Sequence, residues 1–328
     1  MINASIIIPT YDRPDLLVKT ISSALEQSYP RENYEIIVID NSKNSTATSR
    51  AMGPFLKKPS DQNFRYIKLD KIGVHYARNK GAQIAQSDLL IFTDDDCILS
   101  KNLISSYISA FKEYPNMDVS GGPIKLRWET PPPKWLYRLM GDSKVFYMLS
   151  KMEPYDNFHL DKKGFFFSAN IAIKKKILFK VGGFNPELVG NSYVGDGETG
   201  LYKKLWQQKI LIGYVPQAII FHQISQKRIT LDYFMKRMVN EGASNAYSIF
   251  HSGIPNYFIL ILRIIALVFR NIKLFIAALF YKGKTDSNSL SIQLEAYRVY
   301  GQIIYMIRLL IDKNFRRLVL QKNWLKEI

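Results

Sequence analysis

Three consecutive carboxylates are the residues of this sequence most suited to chemistry. The segment "TDDDC" at residues 93–97 follows the apolar run "LLIF" and brings Asp94, Asp95 and Asp96 together. Like charges this close repel, so the group is costly unless a cation offsets it. If these acids continue the strand, Asp94 and Asp96 face one ligand and Asp95 points away, because side chains alternate along a strand. Carboxylate oxygens suit Mg²⁺ and Mn²⁺. We therefore predict a cation here; a solvated acidic turn is the alternative.

The segments around these acids alternate between strand and helix patterns. Four short, apolar, β-branched runs have the composition of buried strands, and amphipathic segments with a helical period follow the first and third. The four runs are 4–10, 34–42, 64–70 and 88–93. Strands alternating with helices predict an α/β fold with a mostly parallel sheet. Ligands bind beyond the carboxyl ends of such strands. Asp12, Asp40 and Asp70 also lie at or just past strand ends, so we expect one acidic edge.

The last third of the chain differs in charge and hydropathy. Residues 201–328 carry 19 Lys and Arg against 6 Asp and Glu, a net +13 within a total of +17. The segment 257–281 is strongly apolar but contains Arg263, Arg270 and Lys273. Its uninterrupted apolar runs are shorter than the roughly 20 residues of a spanning helix. We expect helices that lie in the interface of an anionic membrane, with basic side chains reaching the headgroups. An ordinary helical subdomain is the alternative.

Cysteine usage and the N-terminus indicate the compartment. Cys97 is the single cysteine of 328 residues, which excludes an internal disulfide and fits a reducing environment. No His or cation partner is evident for it, so we predict a small buried side chain and not a nucleophile. The N-terminal residues lack the basic segment and long apolar run of a signal peptide. A cytoplasmic location, peripheral on the inner face of the cell membrane, is expected.

Five segments, in this order, resemble the family 2 glycosyltransferases. They are "ASIIIPTYDRPDLLVKTISSALEQ", "YEIIVIDNSKN", "GVHYARNKGAQIAQSDLLIFTDDDC", "FFFSANIAIKKKILFKVGGFNPEL" and "VGDGETGLYKKL", and they cover residues 3–224. The resemblance implies an inverting enzyme with the GT-A fold, a Rossmann-like, mostly parallel sheet with helices on both faces. It implies a catalytic domain over 1–225, with a nucleotide-sugar-binding half (1–124) and an acceptor-side half (125–225). A basic, amphipathic helical region (226–328) would follow.

The resemblance also implies where the sugar donor binds. The loop after the first strand would lie against the nucleotide base, the acid closing the second strand would read the base edge, and the segment from residue 73 would flank the nucleotide. The implied donor contacts are Pro9, Thr10, Tyr11, Asp12, Asp40, Gly73, Arg78, Asp94 and Asp95. Arg78 offers donors suited to phosphate, and Gly73 lets backbone approach a ligand. In the D-x-D motif, Asp94 is expected near the ribose and Asp96 on a Mn²⁺ or Mg²⁺ ion.

Further site residues follow from the same resemblance. Ser168 and Asn170 match a segment near the donor sugar and acceptor. His222, which ends "VPQAIIFH", would complete the metal site with Asp94 and Asp96 or contact the diphosphate; a structural histidine is the alternative. Lys227 and Arg228 follow in a loop that could clasp the diphosphate, unless they are a solvated charge run. The aromatic side chains of the irregular segment 125–165 could stack on a sugar or lipid or pack in the core; these are Trp128, Trp135 and Tyr137.

An inverting transfer needs one general base for the acceptor hydroxyl. In the family this is the acid of an "ED"-like motif that opens a helix, and this chain has "GDGETGLYKKL" instead. Counting back from Leu205, Glu198 falls where the family's acid lies, and Asp196 is the rival. A carboxylate at a helix N-terminus is also stabilised by the helix dipole, so one of the two would cap the helix.

The function predicted from these features is inverting transfer of a sugar. The donor would be a nucleotide diphosphate sugar, with UDP favoured, and the acceptor a polysaccharide, a glycolipid or a lipid-linked glycan. A nucleotidyltransferase would need a Gly-rich phosphate loop near the N-terminus, and "PTYDRPD" has none. A dinucleotide dehydrogenase would need G-x-G-x-x-G after the first strand. Binding to nucleic acid is disfavoured because the C-terminal cations are interleaved with aliphatic runs and no nucleic-acid motif is present.

Overall fold

A computed structural model describes residues 1–56, 63–140, 148–189, 192–251, 257–321 and 324–325. Thirteen strands are assigned in this part of the chain. They are β1 (Ala4–Thr10), β2 (Tyr34–Asp40), β3 (Phe64–Lys68), β4 (Leu89–Thr93), β5 (Cys97–Leu99), β6 (Val119–Gly121), β7 (Ile124–Trp128), β8 (His159–Asp161), β9 (Asn170–Lys174), β10 (Leu188–Val189), β11 (Ser192–Tyr193), β12 (Ile212–Tyr214) and β13 (Ile220–Ile224).

Eleven α-helices are assigned in the same residues. They are α1 (Pro14–Leu25), α2 (Thr46–Leu56), α3 (Val74–Ile84), α4 (Leu103–Glu113), α5 (Lys134–Met140), α6 (Lys175–Lys180), α7 (Gly197–Gln207), α8 (Leu231–His251), α9 (Tyr257–Phe280), α10 (Ser287–Ile311) and α11 (Lys313–Val319). Short 3₁₀ turns at Arg31–Asn33 and Gln226–Arg228 complete the described helical structure.

The main sheet has eight strands in the order β3-β2-β1-β4-β9-β6-β12-β8. β1 pairs in parallel with β2 and β4, β2 pairs in parallel with β3, and only β9 and β8 run against the others. Every residue of β1 and β2 is buried, which is expected for parallel strands covered on both faces and explains their unbroken apolar sequence. The predicted α/β architecture with a mostly parallel sheet is confirmed.

A second sheet brings His222 to the acidic turn. Its three strands are ordered β5-β13-β7. β5 starts directly after Asp96, and its antiparallel pairing with β13 sets His222 opposite Cys97. In the main sheet, the pairing of β4 with β9 sets Thr93 opposite Asn170. These two registers carry three distant segments of the sequence to the end of β4.

Two parts of the chain differ from the sequence prediction. Helix α2 was not predicted; it contains Gly53 and Pro54, which disfavour a helix, and only Thr48 and Met52 are buried. The segment 125–165 was predicted to be irregular, but it contains β7, α5 and β8. The part of it at 141–147 lies outside the described residues.

The C-terminal helices pack onto the domain that contains the main sheet. Tyr305 of α10 donates a hydrogen bond to the carbonyl oxygen of Val194 at 2.6 Å. The ring of Trp324 meets the edge of Tyr76 in α3 with centroids 6.2 Å apart. These contacts join α8, α10 and α11 to the sheet domain through a shared apolar cluster. In α10, Ala296, Val299 and Ile303 are buried, and Tyr300 is half exposed.

Helix α9 packs differently from its neighbours. Only Leu260 of this helix is buried, and large apolar side chains such as Phe258, Phe269 and Leu279 are 64%, 71% and 74% exposed. An exposed apolar surface of this extent marks a contact site. No helix in the described part of the chain combines the length and the apolar character needed to cross a membrane.

Helices α8 and α10 cross with their backbones in close contact. A Cβ atom added to Gly301 would lie 2.1 Å from the carbonyl oxygen of Val239, and one added to Gly242 would lie 1.9 Å from that of Arg298. Neither neighbour is a flexible side chain, so the helices would have to separate. The close crossing therefore depends on these two glycines.

We expect Gly301→Ala to lower the free energy of unfolding by about 1–3 kcal/mol, the usual cost of overpacking. Gly53→Ala in α2 is the matched control, because nothing lies within 4 Å of the added methyl group. The control should be neutral or slightly stabilising, since Ala favours helix more than Gly does. Thermal denaturation of the three proteins measures this. Equal melting temperatures for Gly301→Ala and Gly53→Ala would contradict the close crossing.

Candidate active site

The three acids form a turn and not a continued strand. β4 ends at Thr93, and the backbone N–H of Cys97 donates to the carbonyl oxygen of Asp94 at 3.2 Å, closing the turn before β5. The alternation argument for Asp94 and Asp96 was therefore wrong, because it assumes an extended backbone. Each acid instead has its own cationic neighbours.

Arginine side chains compensate the charge of the turn. Arg78 of α3 donates to Asp94 at 2.5 Å. Arg13, from the loop after β1, pairs with Asp95 and reaches Asp96 at 2.7 Å. Buried charges are tolerated only when paired and hydrogen-bonded, so these contacts let the turn stay folded. Arg13 was missed in the sequence, although it directly follows the "PTYD" stretch at the same sheet edge.

Further contacts of the turn come from α1 and β1. Thr10 donates its hydroxyl to Asp95 at 2.7 Å, and Thr20 donates to the backbone carbonyl of Asp95 at 2.8 Å. Pro9 is buried within β1, while Tyr11 beyond its end is 38% exposed. The Asp95 side chain thus faces protein groups, and its contact with the donor stays a prediction.

The acids Asp95 and Asp96 have opposite pKa shifts. Burial raises the pKa of Asp95 to about 7, against the field of Arg13. Burial also acts to raise the pKa of Asp96, but Arg228, His222 and Arg13 hold it well below its usual range. A lowered pKa favours the anionic form of Asp96, which suits it to bind a cation.

His222 and Arg228 face Asp96 from the second sheet. The Nδ1 atom of His222 lies 2.9 Å from the carbonyl oxygen of Leu149, which accepts a hydrogen bond only if Nδ1 carries the proton. In the neutral ring the lone pair is then on Nε2, 3.5 Å from Asp96. Arg228 donates to that Nε2 at 2.5 Å and to Asp96 at 2.9 Å. Lys227 is exposed, so of the predicted diphosphate pair only Arg228 lies in the site.

Asp96 and His222 fit a divalent cation. They present a permanent carboxylate and an imidazole lone pair within 3.5 Å of each other, and a backbone carbonyl fixes the histidine tautomer. Across the described ranges, no group of three or more His, Cys, Asp or Glu side chains forms a complete metal site. Further ligands would come from water or phosphate oxygens, as is usual for Mg²⁺. Asp94 faces Arg78, and its role as a ligand stays a prediction.

The predicted nucleotide contacts lie at one sheet edge. Asp12 has a left-handed φ of 52°, and its N–H donates to Ser42 at 2.8 Å. Asp40 is fully buried and accepts hydrogen bonds from Ser42 and, at 2.6 Å, from Tyr66. Gly73 precedes α3 with a φ of 139°, a value that favours glycine. Contact of these residues with a nucleotide base stays a prediction.

Glu198 lies in the first turn of α7 beside a cavity of about 540 Å³. Its Oε2 accepts from the backbone N–H of Ser168 at 2.5 Å and from the Ser168 hydroxyl at 3.0 Å. Both bonds go to Oε2, no hydrogen bond to Oε1 is found in the described part of the chain, and the residue lines the cavity. Burial raises the pKa of Glu198, and Arg78 opposes the shift. This is the arrangement of a base with one oxygen fixed and the other available.

Asp196 is engaged by the protein. It occupies the N-cap position of α7, but its side chain makes no capping bond. Instead it accepts from Asn185 at 2.8 Å and lies 3.5 Å from the Lys203 ammonium. Capping by this side chain is therefore not observed, and its contacts hold α7 to its neighbours. Of the two acids, Glu198 has the freer oxygen.

Asn170 makes three side-chain contacts with the protein. It accepts from Tyr107 at 2.8 Å and donates to the carbonyl oxygens of Pro123 and Ala218 at 3.0 and 2.7 Å. It therefore joins β9 to the loops that follow β6 and precede β13. Its predicted place near the acceptor stays a prediction, whereas the adjacent Ser168 contacts Glu198 directly.

The other candidate residues named from the sequence are Cys97, Trp128, Trp135 and Tyr137, and none of them lines the cavity beside Glu198. Cys97 is fully buried, and burial raises the pKa of its thiol well above the usual value, which confirms an unreactive core residue. Trp135 meets the edge of Phe234 at 5.6 Å, and Trp128 packs against the same apolar cluster. Tyr137 is 56% exposed.

The cavity beside Glu198 is closed by the C-terminal helices. Glu187, Phe165 and Phe167 line it from the sheet domain, while Arg237 of α8 and Arg298 of α10 line it from the other side. No residue of this wall was predicted from the sequence, where membrane contact was favoured for the basic C-terminal region and a helical subdomain was the alternative. The cavity is therefore completed by the two parts of the chain together.

Two proteins that are similar in sequence to this chain come from Haloferax volcanii and Methanococcus voltae. Glucosyl-dolichyl phosphate glucuronosyltransferase of Haloferax volcanii is 21% identical over 245 residues, covering 73% of this chain and 75% of that protein. The dolichyl N-acetyl-alpha-D-glucosaminyl phosphate 3-beta-D-2,3-diacetamido-2,3-dideoxy-beta-D-glucuronosyltransferase of Methanococcus voltae is 32% identical over 126 residues, covering 37% of this chain and 38% of that protein. The crystal structure of S. aureus TarS aligns with 73% of this chain and 40% of its own, at 17% identity and a TM-score of 0.45.

The family assignment comes from the sequence itself. Residues 5–182, more than half of the chain, match the family described as glycosyl transferase family 2. The match contains β1, the acidic turn and β9, and it ends before Glu198. This chain therefore belongs to glycosyl transferase family 2 and is a glycosyltransferase of the GT-A fold.

Proposed function

We propose that this glycosyltransferase inverts the anomeric configuration of the sugar that it transfers. The donor is a nucleotide diphosphate sugar linked to UDP, and the acceptor is a lipid-linked glycan. The observation that carries the proposal is the state of Glu198: one oxygen held by Ser168, the other available at a cavity of about 540 Å³. Arg78 connects this base to the acidic turn, since it binds Asp94 and its field also acts on Glu198.

The proposed step is a single displacement. Oε1 of Glu198 takes the proton of the acceptor hydroxyl as that oxygen forms a bond to the anomeric carbon. The bond from that carbon to the diphosphate oxygen breaks on the opposite face, and the electron pair leaves with the nucleotide diphosphate. Burial supports this role, because a raised pKa brings a carboxylate base closer to the working pH. Arg13, Arg78 and Arg228 are the cations that would face the leaving group.

A divalent cation, Mn²⁺ or Mg²⁺, would be held by Asp96 and His222. When bound it would offset the charge of the diphosphate leaving group. The supporting contact is the arrangement of His222, whose Nδ1 faces a backbone carbonyl so that Nε2 faces Asp96 at 3.5 Å. Arg228 contacts the same two groups, so it would give up at least one of them to the cation.

The acceptor class is supported by the relatives and by α9. The names of the Haloferax volcanii and Methanococcus voltae relatives both describe transfer to a sugar on dolichyl phosphate. Helix α9 exposes a continuous apolar surface that also carries Arg263, Arg270 and Lys273. Apolar side chains bordered by cations suit an anionic membrane interface. We therefore propose that the enzyme is peripheral on the inner face of the cell membrane, where it meets a lipid-linked acceptor.

Substitution of the two acids of α7 tests the proposed chemistry. With Mn²⁺ and a panel of UDP-, GDP- and dTDP-sugars, wild-type protein should release nucleoside diphosphate and be thermally stabilised by its donor. Glu198→Gln should lower kcat at least about 1000-fold and keep the donor-induced stabilisation, because only the proton acceptor is lost. Asp196→Asn should keep measurable turnover. The wild-type kcat/KM should fall at acid pH with an apparent pKa above 4.5, since Glu198 must be ionised.

Three outcomes of this assay would contradict the proposal. Wild-type protein that responds to no nucleotide sugar would reject the transferase function. If Asp196→Asn abolishes turnover and Glu198→Gln does not, Asp196 is the base. If kcat/KM falls at acid pH with an apparent pKa at or below the ordinary pKa of Glu, Glu198 is not the general base.

Membrane contact is tested by sedimentation with liposomes. Wild-type protein should pellet with anionic liposomes, and less so as salt rises, because screening weakens the contacts of the cations. Phe269→Asp in α9 should lower the partition coefficient by roughly tenfold, since it replaces an exposed aromatic ring that would enter the membrane with a charge. Phe179→Asp in α6 is the matched control, an exposed aromatic outside α9. Equal recovery of wild-type protein in the supernatant with and without liposomes would reject membrane contact.

A further inference from the structure

Arg237 of α8 is a cation of the cavity that lies in the field of Glu187 and Glu198. Its side chain is half-buried and lines the cavity beside Glu198. Within the residues that the structure describes, it makes no hydrogen bond and lies within ion-pair distance of no carboxylate. A guanidinium has five N–H donors in a planar fork that matches phosphate and carboxylate oxygens. A half-buried group of this kind, with its donors unused, is suited to a ligand.

The other charged groups of the cavity are already engaged or acidic. Arg298 donates to Glu295 at 2.8 Å. Glu187 lies 3.9 Å from His75; burial acts to raise its pKa, but His75 and Arg237 lower it to about 2. Glu241 is a further acid of the wall. Carboxylates accept hydrogen bonds from sugar hydroxyls, and the cavity also has the aromatic rings of Phe165 and Phe167.

We propose that Arg237 binds the phosphate of the acceptor, so that the cavity takes a sugar linked through phosphate to a lipid. The inference rests on the proposed function, because it identifies the cavity as the acceptor site by means of Glu198. The sugar would lie among the carboxylates and aromatic rings, with one hydroxyl at Glu198 and its phosphate at Arg237. Arg237 is then a binding residue that selects acceptors by their charge.

The position of Arg237 favours a lipid phosphate over other anions. Arg237 is on α8, which packs along α10, and α10 in turn packs against the exposed apolar helix α9. A lipid chain attached to a phosphate at Arg237 would therefore begin at the helical layer that carries the apolar surface. The phosphates of the donor would be bound by other cations, because Arg13, Arg78 and Arg228 all lie at the acidic turn.

The test compares acceptors that differ only in the phosphate. One series contains short-chain prenyl phosphate monosaccharides of glucose, galactose, mannose and N-acetylglucosamine; the other contains the corresponding prenyl glycosides. Calorimetry measures binding of each compound to wild-type protein, Arg237→Met and Lys236→Met. Lys236 is the matched control, since it removes one cation from the same helix but is 74% exposed and paired with Asp232. Mn²⁺ and the panel of nucleotide sugars are then added to the same mixtures, and donor binding and the release of nucleoside diphosphate are measured.

Wild-type protein and Lys236→Met should bind at least one phosphate compound more tightly than its matched glycoside. Arg237→Met should lose roughly 10- to 100-fold in affinity for that compound, and its affinity for the glycoside should change less than about threefold. Equal affinity of wild-type protein for both series, or a phosphate preference that persists in Arg237→Met, would overturn the inference. A preference that depends on Arg237 without release of nucleoside diphosphate would instead reject the proposed function and leave an anion site. An Arg237→Met defect confined to donor binding would assign this arginine to the donor and overturn the inference.

Discussion

The charge compensation of Asp94, Asp95 and Asp96 is the interaction on which the rest of the site depends. Three carboxylates at the end of a buried strand cannot stay ionised without cations. Arg78 and Arg13 supply them from α3 and from the loop after β1, and Arg228 supplies a third from beyond β13. Each pairing fixes one more segment of the chain against the end of β4. The acidic turn therefore organises the sheet edge before any ligand is considered.

A second dependence runs from the sheet domain to the C-terminal helices. Ser168 lies in the loop before β9 and holds one oxygen of Glu198, while α8 and α10 line the same cavity as Glu198. The close crossing of α8 and α10 at Gly242 and Gly301 sets the position of that wall. The basic C-terminal region thus has two faces. One completes the cavity, and the other, through α9, exposes an apolar surface.

Local sequence patterns predicted the strands of the first half well, because unbroken β-branched runs between helical segments have few alternatives. They also brought out the acidic turn at the end of β4, whereas Glu198 was reached through the resemblance to the family 2 glycosyltransferases. The alternation of Asp94 and Asp96 failed because a turn replaces the strand after Thr93. Arg13 and Arg237 were missed for another reason. Arg13 matters through its contacts with Asp95 and Asp96, and Arg237 through its place in the cavity wall, and both depend on the folded arrangement of distant segments.

The central claim is that Asp96 and His222 form a cation site for which Arg228 competes. Titration of Mn²⁺ followed by electron paramagnetic resonance, with UDP present, measures the affinity of this site directly. Asp96→Asn should weaken Mn²⁺ binding at least about tenfold, as loss of a ligand carboxylate requires, while Arg228→Met without UDP should bind Mn²⁺ at least as tightly as wild-type protein. Unchanged Mn²⁺ affinity in Asp96→Asn would contradict the claim.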